Sequence, residues 1–285
     1  MPSRSRDPRQ DAWMLNVMAE RVFSEFAEVA GRRGLPFLPV KGVVTARWLY
    51  DDVADRPLSD VDIRVRPSDL DAFEAAGREA GWVLVRRSDA YASLVFALGG
   101  MSVDIESSVG PPGLSGLAVD AMLSRSTRTR ALFGFEHALP EIHDHALLLV
   151  VNAFKDKIVH AGPGALTDLA RIVARRDFDP GTFVDLAERT SNVTEAFLVA
   201  SWMSEKRGYD HWRRLRDVLE PKLKRPVYVA LVRRLIDADD PFPGALRVLA
   251  RWGADDFRLR ARAVLRMAHL AWERPGAKPR SRGSS

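Results

Sequence analysis

The chain contains no cysteine. That excludes disulfides, thiolate metal sites and cysteine nucleophiles together, and it makes a reducing cytoplasm the expected compartment. Long apolar runs are missing too. The longest, "ALLLVV" at 146–151, falls far short of the ~20 residues a membrane helix needs. The first residues, "MPSRSRDPRQDAW", carry charge but no apolar segment, so no signal peptide is expected. There is no Walker loop, G-x-G-x-x-G turn, H-E-x-x-H helix or serine-hydrolase elbow, and no internal repeat.

What is present is an ordinary globular composition, 46% apolar and 28% charged over 285 residues. That length suits one large or two modest domains. Lys and Arg number 43 against 38 Asp and Glu, a net charge of +5. Much of the excess lies in arginine-rich helices and the tail. It permits a nucleotide or RNA as partner without requiring one.

The pattern changes near the middle of the chain. Residues 9–33 carry apolar positions at helical spacing and stop at Gly34. "LPFLPV" reads as a strand ending at Lys41-Gly42, "VVTARWLY" as a helix, and "DVDIRV" as an alternating strand. A helix over "PSDLDAFEAAGREAG" has Ser68 as its expected N-cap. "YASLVFAL" and "MSVDIES" flank Gly99-Gly100, a hairpin turn. The first half is therefore expected to hold a mixed sheet of four or five strands. From about residue 143 the pattern is helical almost throughout, including 245–273, with Pro and Gly between the helices. Trp202, Trp212, Trp252 and Trp272 fall at core spacing, whereas His143, His145 and His160 lack metal-site spacing and read as caps or surface residues.

On a strand, residues two apart share a face, so Asp60 and Asp62 point the same way while Val61 and Ile63 point to the core. Adjacent carboxylates repel unless a cation lies between them. Magnesium suits such oxygen donors. Asp104 in "SVDIE" supplies a third carboxylate if its strand lies beside "DVDIRV", and three converging carboxylates are what a two-metal site requires. An isolated D-x-D is as readily a surface pair with Arg56, Arg64 or Arg66. Upstream, "PVKG" offers a strand-to-helix turn where Gly42 admits a phosphate close to the backbone and Lys41 adds a charge.

Taken together, "PVKGVVTARWLYDDVADRPLSDVDIRV" and "VDIE" resemble the uncharacterised nucleotidyltransferase family of the polymerase-β superfamily. The matching elements are Lys41, Gly42, Tyr50, Arg56, Asp60, Asp62 and Asp104. The likeness extends more loosely over 143–175, with Lys155 and Asp168 at polar positions. Departures are Val43 where a small residue is usual, the 17 residues between Gly42 and Asp60, and Glu106 where relatives carry histidine.

The resemblance implies an α+β fold: a polymerase-β-type nucleotidyltransferase domain with a small mixed sheet over 1–136, an all-helical domain over 137–275, and a disordered basic tail over 276–285. It implies a transferase that moves NMP from an NTP such as ATP to an acceptor hydroxyl and releases pyrophosphate. Two Mg²⁺ ions, or Mn²⁺, would be held by Asp60, Asp62 and Asp104. Lys41, Gly42, Arg56, Lys155 and Asp168 would bind the nucleotide, with Asp168 on Lys155 or the ribose, and Glu106 is a candidate general base or equally an arginine partner at the rim. RNA such as tRNA, a peptide natural product and a small molecule all remain open as acceptors. The alternative is an inactive nucleotide- or partner-binding module of the same fold. Mutual repulsion also predicts that Asn at any of the three aspartates leaves the fold as stable or slightly more so.

Overall fold

Asp7 accepts a hydrogen bond from the Arg9 backbone N–H at 3.0 Å, capping α1 (Pro8–Arg32), whose first helical position is proline. These are the first residues described in a computed structural model that covers 7–155, 162–237 and 252–272. Gly34, at φ 62°, turns the chain into β1 (Phe37–Val40), followed by α2 (Gly42–Trp48) and β2 (Asp60–Val65). Next come α3 (Leu70–Glu79) and a meander of β3 (Val83–Ser88), β4 (Ser93–Leu98) and β5 (Met101–Glu106). Gly99 and Gly100 lie at φ 56° and 85°, the positive pair a tight hairpin turn needs.

Ser68 does not cap α3. Pro67–Asp69 forms a short 3₁₀ turn instead, and the Ser68 hydroxyl donates to Asp69 at 2.9 Å.

The five strands form one mixed sheet in the order β1-β2-β5-β4-β3, with only β2 and β5 parallel. Its fold is α+β. One face is sealed by α1 and α3, where Phe23, Phe26 and Phe73 meet Val61, Ile63, Val103 and Ile105. Between sheet and helices lie α4 (Val119–Arg125) and a hairpin of β6 (Thr127–Thr129) and β7 (His137–Leu139), which a domain boundary at 136/137 would divide.

Seven further helices are described after that hairpin: α5 (Ile142–Lys155), α6 (Pro163–Val173), α7 (Pro180–Arg189), α8 (Val193–Arg207), α9 (Asp210–Leu219), α10 (Pro226–Asp237) and α11 (Phe257–Trp272). The expected helix over 245–273 begins only at Phe257, and its part over 245–251 lies outside the described residues, as do His160 and the tail. Among the described residues no helix is long and apolar enough to cross a membrane.

Twelve of the fourteen residues of α5 are buried, so it is the central helix of the second core, which also takes Leu38 and Val40 from β1. His143 and His145 are therefore interior, not caps or surface groups. Glu141 caps α5 instead, accepting from the backbone N–H groups of His143 and Asp144. Trp202 and Trp212 are core residues, whereas Trp252 is 40% exposed because it sits in the turn before α11. The side chain of Trp272 lies outside the described residues.

Within α8, Glu195 is wholly enclosed. Burial pushes its carboxyl well above the usual range, the hydrogen bond from Asn192 opposes this only in part, and Asp255 adds to it, so folding favours the protonated form. The unfolded chain releases that proton above pH ~4.3, so folding stability falls as pH rises, by up to ~1.4 kcal/mol per pH unit. Glu195→Gln is expected to remove this slope and to gain on the wild type steadily from pH 5 to 8 in urea denaturation. Parallel pH profiles would show that Glu195 is ionised in the fold.

Candidate active site

Parallel pairing of β2 with β5 sets Asp60 opposite Ser102, Asp62 opposite Asp104 and Arg64 opposite Glu106. The intervening Val61, Ile63, Val103 and Ile105 are completely buried on the other face. Strand alternation thus turns three carboxylates and one buried ion pair toward the same side. Arg64 is 1% exposed and holds Glu106 Oε2 at 2.5 Å.

Val40 of β1 is the register partner of Asp62, so the next residue, Lys41, starts directly beside the acidic face. Its ammonium donates to Asp62 Oδ1 at 2.6 Å. Burial opposes the charge on Lys41, but the Asp62 carboxylate, with Glu106 behind it, outweighs burial and holds the ammonium above its ordinary pKa. Gly42 sits where space is tight: a Cβ there would stand 2.7 Å from Leu58 Cδ2, which would have to shift.

These groups line a cleft of about 320 Å³ together with Arg56, Ser59, Asn152 and Lys155. Asn152 and Lys155 lie three residues apart on α5 and so share its cleft face. Lys155 carries no ion pair among the described residues and adds positive potential at Glu106. Asp60, partly desolvated and beside Asp62 and Asp104, has its carboxyl pushed upward. For Glu106 burial pushes up, but Arg64, Lys41, Lys155 and Arg86 together bring it down to about 2. A carboxylate so stabilised is a weak proton acceptor at neutral pH.

Asp168 of α6 is 1% exposed and bonded neither to Lys155 nor toward the open cleft. Its Oδ1 accepts from the Tyr50 hydroxyl at 2.8 Å and its Oδ2 from Thr45 Oγ1 at 3.0 Å. Arg56 donates to both oxygens, its Nε and Nη2 each at 3.0 Å from Oδ2. Asp168 therefore fixes Arg56 at the cleft wall rather than facing a ligand. Gly164 makes room for that arginine, since a Cβ there would lie 2.9 Å from its Cζ.

Asp60 Oδ1 takes the Ser59 hydroxyl at 3.1 Å, Asp104 Oδ1 takes the Ser102 hydroxyl at 2.7 Å, and Asp62 Oδ1 takes Lys41. The second oxygen of each has no hydrogen bond among the described residues. Three hard anionic oxygens left open on one face suit a divalent cation in donor type. As the side chains stand, no group of three carboxylates or imidazoles among the described residues is gathered tightly enough to hold an ion. The Lys41 ammonium supplies the neutralising charge.

The sequence pointed to the three aspartates, Lys41, Gly42, Arg56 and Lys155, and the structure brings all of them to one cleft. Sequence reasoning missed Asn152, although the spacing to Lys155 on a helix would have found it.

A small mixed sheet carries paired aspartates on its central strands, and the helical half that follows lines the same cleft. The model of the family described as uncharacterised nucleotidyltransferase matches residues 3–207, and the chain belongs to that family. Among solved structures, the chain is similar to the solution structure of the antibiotic-resistance factor ANT(2'')-Ia at 14% identity and a TM-score of 0.45, covering 77% of this chain and 97% of that one. It is also similar to the crystal structure of ANT(2'')-Ia in complex with adenylyl-2''-tobramycin at 13% identity and a TM-score of 0.42, covering 71% and 97%. No curated protein sequence matches the chain.

Proposed function

We propose that the enzyme is divalent-metal-dependent and moves NMP from an NTP to an acceptor hydroxyl, with Asp60, Asp62 and Asp104 holding Mg²⁺. The observation that carries this reading is the register pairing of Asp62 with Asp104, with Asp60 on the same face and three cations, Lys41, Arg56 and Lys155, lining the same cleft. In the reaction, the acceptor oxygen bonds to the α-phosphorus, the bond from that phosphorus to the bridging oxygen breaks, and pyrophosphate leaves. Bound Mg²⁺ would acidify the attacking hydroxyl and offset charge on the phosphates.

Lys41 and Lys155 hold the β- and γ-phosphates as compact point charges, and Arg56, fixed by Asp168, presents a rigid guanidinium edge. The hydroxyl proton leaves to solvent through the open cleft rather than to Glu106, which Arg64 ties up.

The charge distribution favours RNA as the acceptor. Residues 1–207 hold 25 Lys and Arg against 29 Asp and Glu, whereas 208–285 hold 18 against 9. The excess positive charge thus lies beyond the stretch that matches the family. A polyanion is drawn to that part of the chain and repelled by the rest.

The test is incubation with each α-³²P-labelled NTP, Mg²⁺, and cell extract divided into RNA, protein and small-molecule pools. Label should enter RNA, vanish with Asp60→Asn, and fall steeply between 50 and 200 mM salt, by roughly 10-fold or more. Label in another pool with little salt dependence would transfer the reading to a peptide or small-molecule acceptor. NTP binding without label in any pool would leave the inactive module as the better description.

A further inference from the structure

Lys41 has φ 56° and ψ −137°, a backbone conformation that glycine adopts freely and a lysine rarely does. Such outliers persist only where the surroundings enforce them, and they gather at functional sites. What enforces this one comes from the other half of the protein. The Lys41 backbone N–H donates to His145 Nε2 at 2.9 Å, across 104 residues of sequence.

His145 is itself immovable. It is completely buried on α5, and its ring stacks on Trp48 with centroids 5.8 Å apart and planes at 10°. A backbone N–H can only donate, so Nε2 must be the unprotonated nitrogen and Nδ1 must carry the proton. Among the described residues Nδ1 has no hydrogen-bond partner. The fold thus leaves one ring nitrogen buried and unsatisfied while the other meets Lys41, which is hard to explain if the ring served only to fill space. Burial, with Arg64 adding to it, pushes the imidazole down to about 3, so the acceptor lone pair is available at any working pH.

We propose that His145 is a positioning residue: its hydrogen bond pins the Lys41 peptide in the conformation from which the ammonium reaches Asp62 and the cleft. A lysine stands where glycine would be relaxed because its side chain is needed at that spot, and His145 offsets the strain. The helical half therefore sets the geometry of the turn as well as covering it. The inference rests on the nucleotidyl-transfer reading of the cleft, and its test separates the two.

His145→Leu removes the acceptor at similar volume, and His145→Gln keeps an acceptor. In the transfer assay His145→Leu should lose about 100-fold in kcat/KM, the scale expected of a small misplacement, while His145→Gln stays within about 5-fold of wild type. In a Lys41→Gly background, where the turn is relaxed and the ammonium gone, His145→Leu should cost nothing further. Additive losses would mean that His145 acts independently of Lys41, and would overturn the proposal.

A readout free of catalysis is hydrogen exchange at the Lys41 amide. It should be slow in the wild type and in His145→Gln, and at least about tenfold faster in His145→Leu. If His145→Leu does not fold, His145→Asn, too short to reach, takes its place. Equal exchange in all variants sinks the proposal. Protection at Lys41 in a wild type that transfers no nucleotide to any acceptor would uphold the positioning role and reject the function assigned to the cleft.

Discussion

Asp62→Asn is expected to reduce nucleotidyl transfer by about 10³-fold or more, with Asp60→Asn and Asp104→Asn close behind, because each removes an anionic oxygen from the proposed metal site. The effect on stability should differ in sign among them. Asp60 is held in a desolvated position beside Asp62 and Asp104, which pushes its carboxyl upward. Asn there relieves repulsion and should stabilise the protein slightly. Asp62 is instead the partner of Lys41 at 2.6 Å, and both side chains are largely buried. Asn in its place leaves the ammonium without a counter-ion and should cost about 1–3 kcal/mol. The uniform stabilisation that repulsion alone suggests from the sequence thus gives way to a split. Thermal melts alongside turnover with labelled NTP measure both effects. Near-wild-type turnover in any of the three would remove that residue from the metal site.

Asp168→Ala should be the most destabilising single change near the cleft, at about 3–5 kcal/mol. Four hydrogen-bonding groups converge on this carboxylate: the Thr45 hydroxyl of α2, the Tyr50 hydroxyl in the loop after it, and two N–H groups of Arg56. Removing the acceptor strands a guanidinium that is itself mostly enclosed. Asp168→Asn keeps an acceptor but loses the charge, and about 1–3 kcal/mol is expected. Urea denaturation compares the two. A loss below about 1 kcal/mol in Asp168→Ala would mean that this node does not tie α6 to α2 and the loop after it. Nucleotide affinity should fall with Asp168→Asn as well, since Arg56 would no longer be held at the cleft wall.

The parts of the molecule that could be read from sequence were those governed by short-range rules. Alternation placed Asp60, Asp62 and Asp104 on one face, and the glycine pair 99–100 gave the hairpin. The strand-to-helix turn gave Lys41 and Gly42, and resemblance added Arg56 and Lys155. What escaped depended on partners far along the chain. Nothing in "KGVVTARW" says that Thr45 will meet Asp168, and although Glu106 can be read as an arginine partner, nothing near it says that the arginine is the buried Arg64. The hairpin β6–β7 has strands of only three residues, too short for any periodicity to stand out. The interior histidines are a different case. A helix that is apolar on every side belongs in an interior, and the "HDHALLLVV" pattern of α5 is enough by itself to place His145 there.

The parallel pairing of β2 with β5 also has a consequence for how the chain folds. The β4–β5 hairpin closes through two residues and can form locally, carrying Asp104 with it. Bringing β2 alongside requires closing a loop of some forty residues, and only then do Asp62 and Asp104 come opposite each other. Lys41, delivered next to Asp62 by the β1–β2 pairing, is already in place to lessen the repulsion at that step. The like charges of the cleft are thus brought together late, after most of the sheet can hold them.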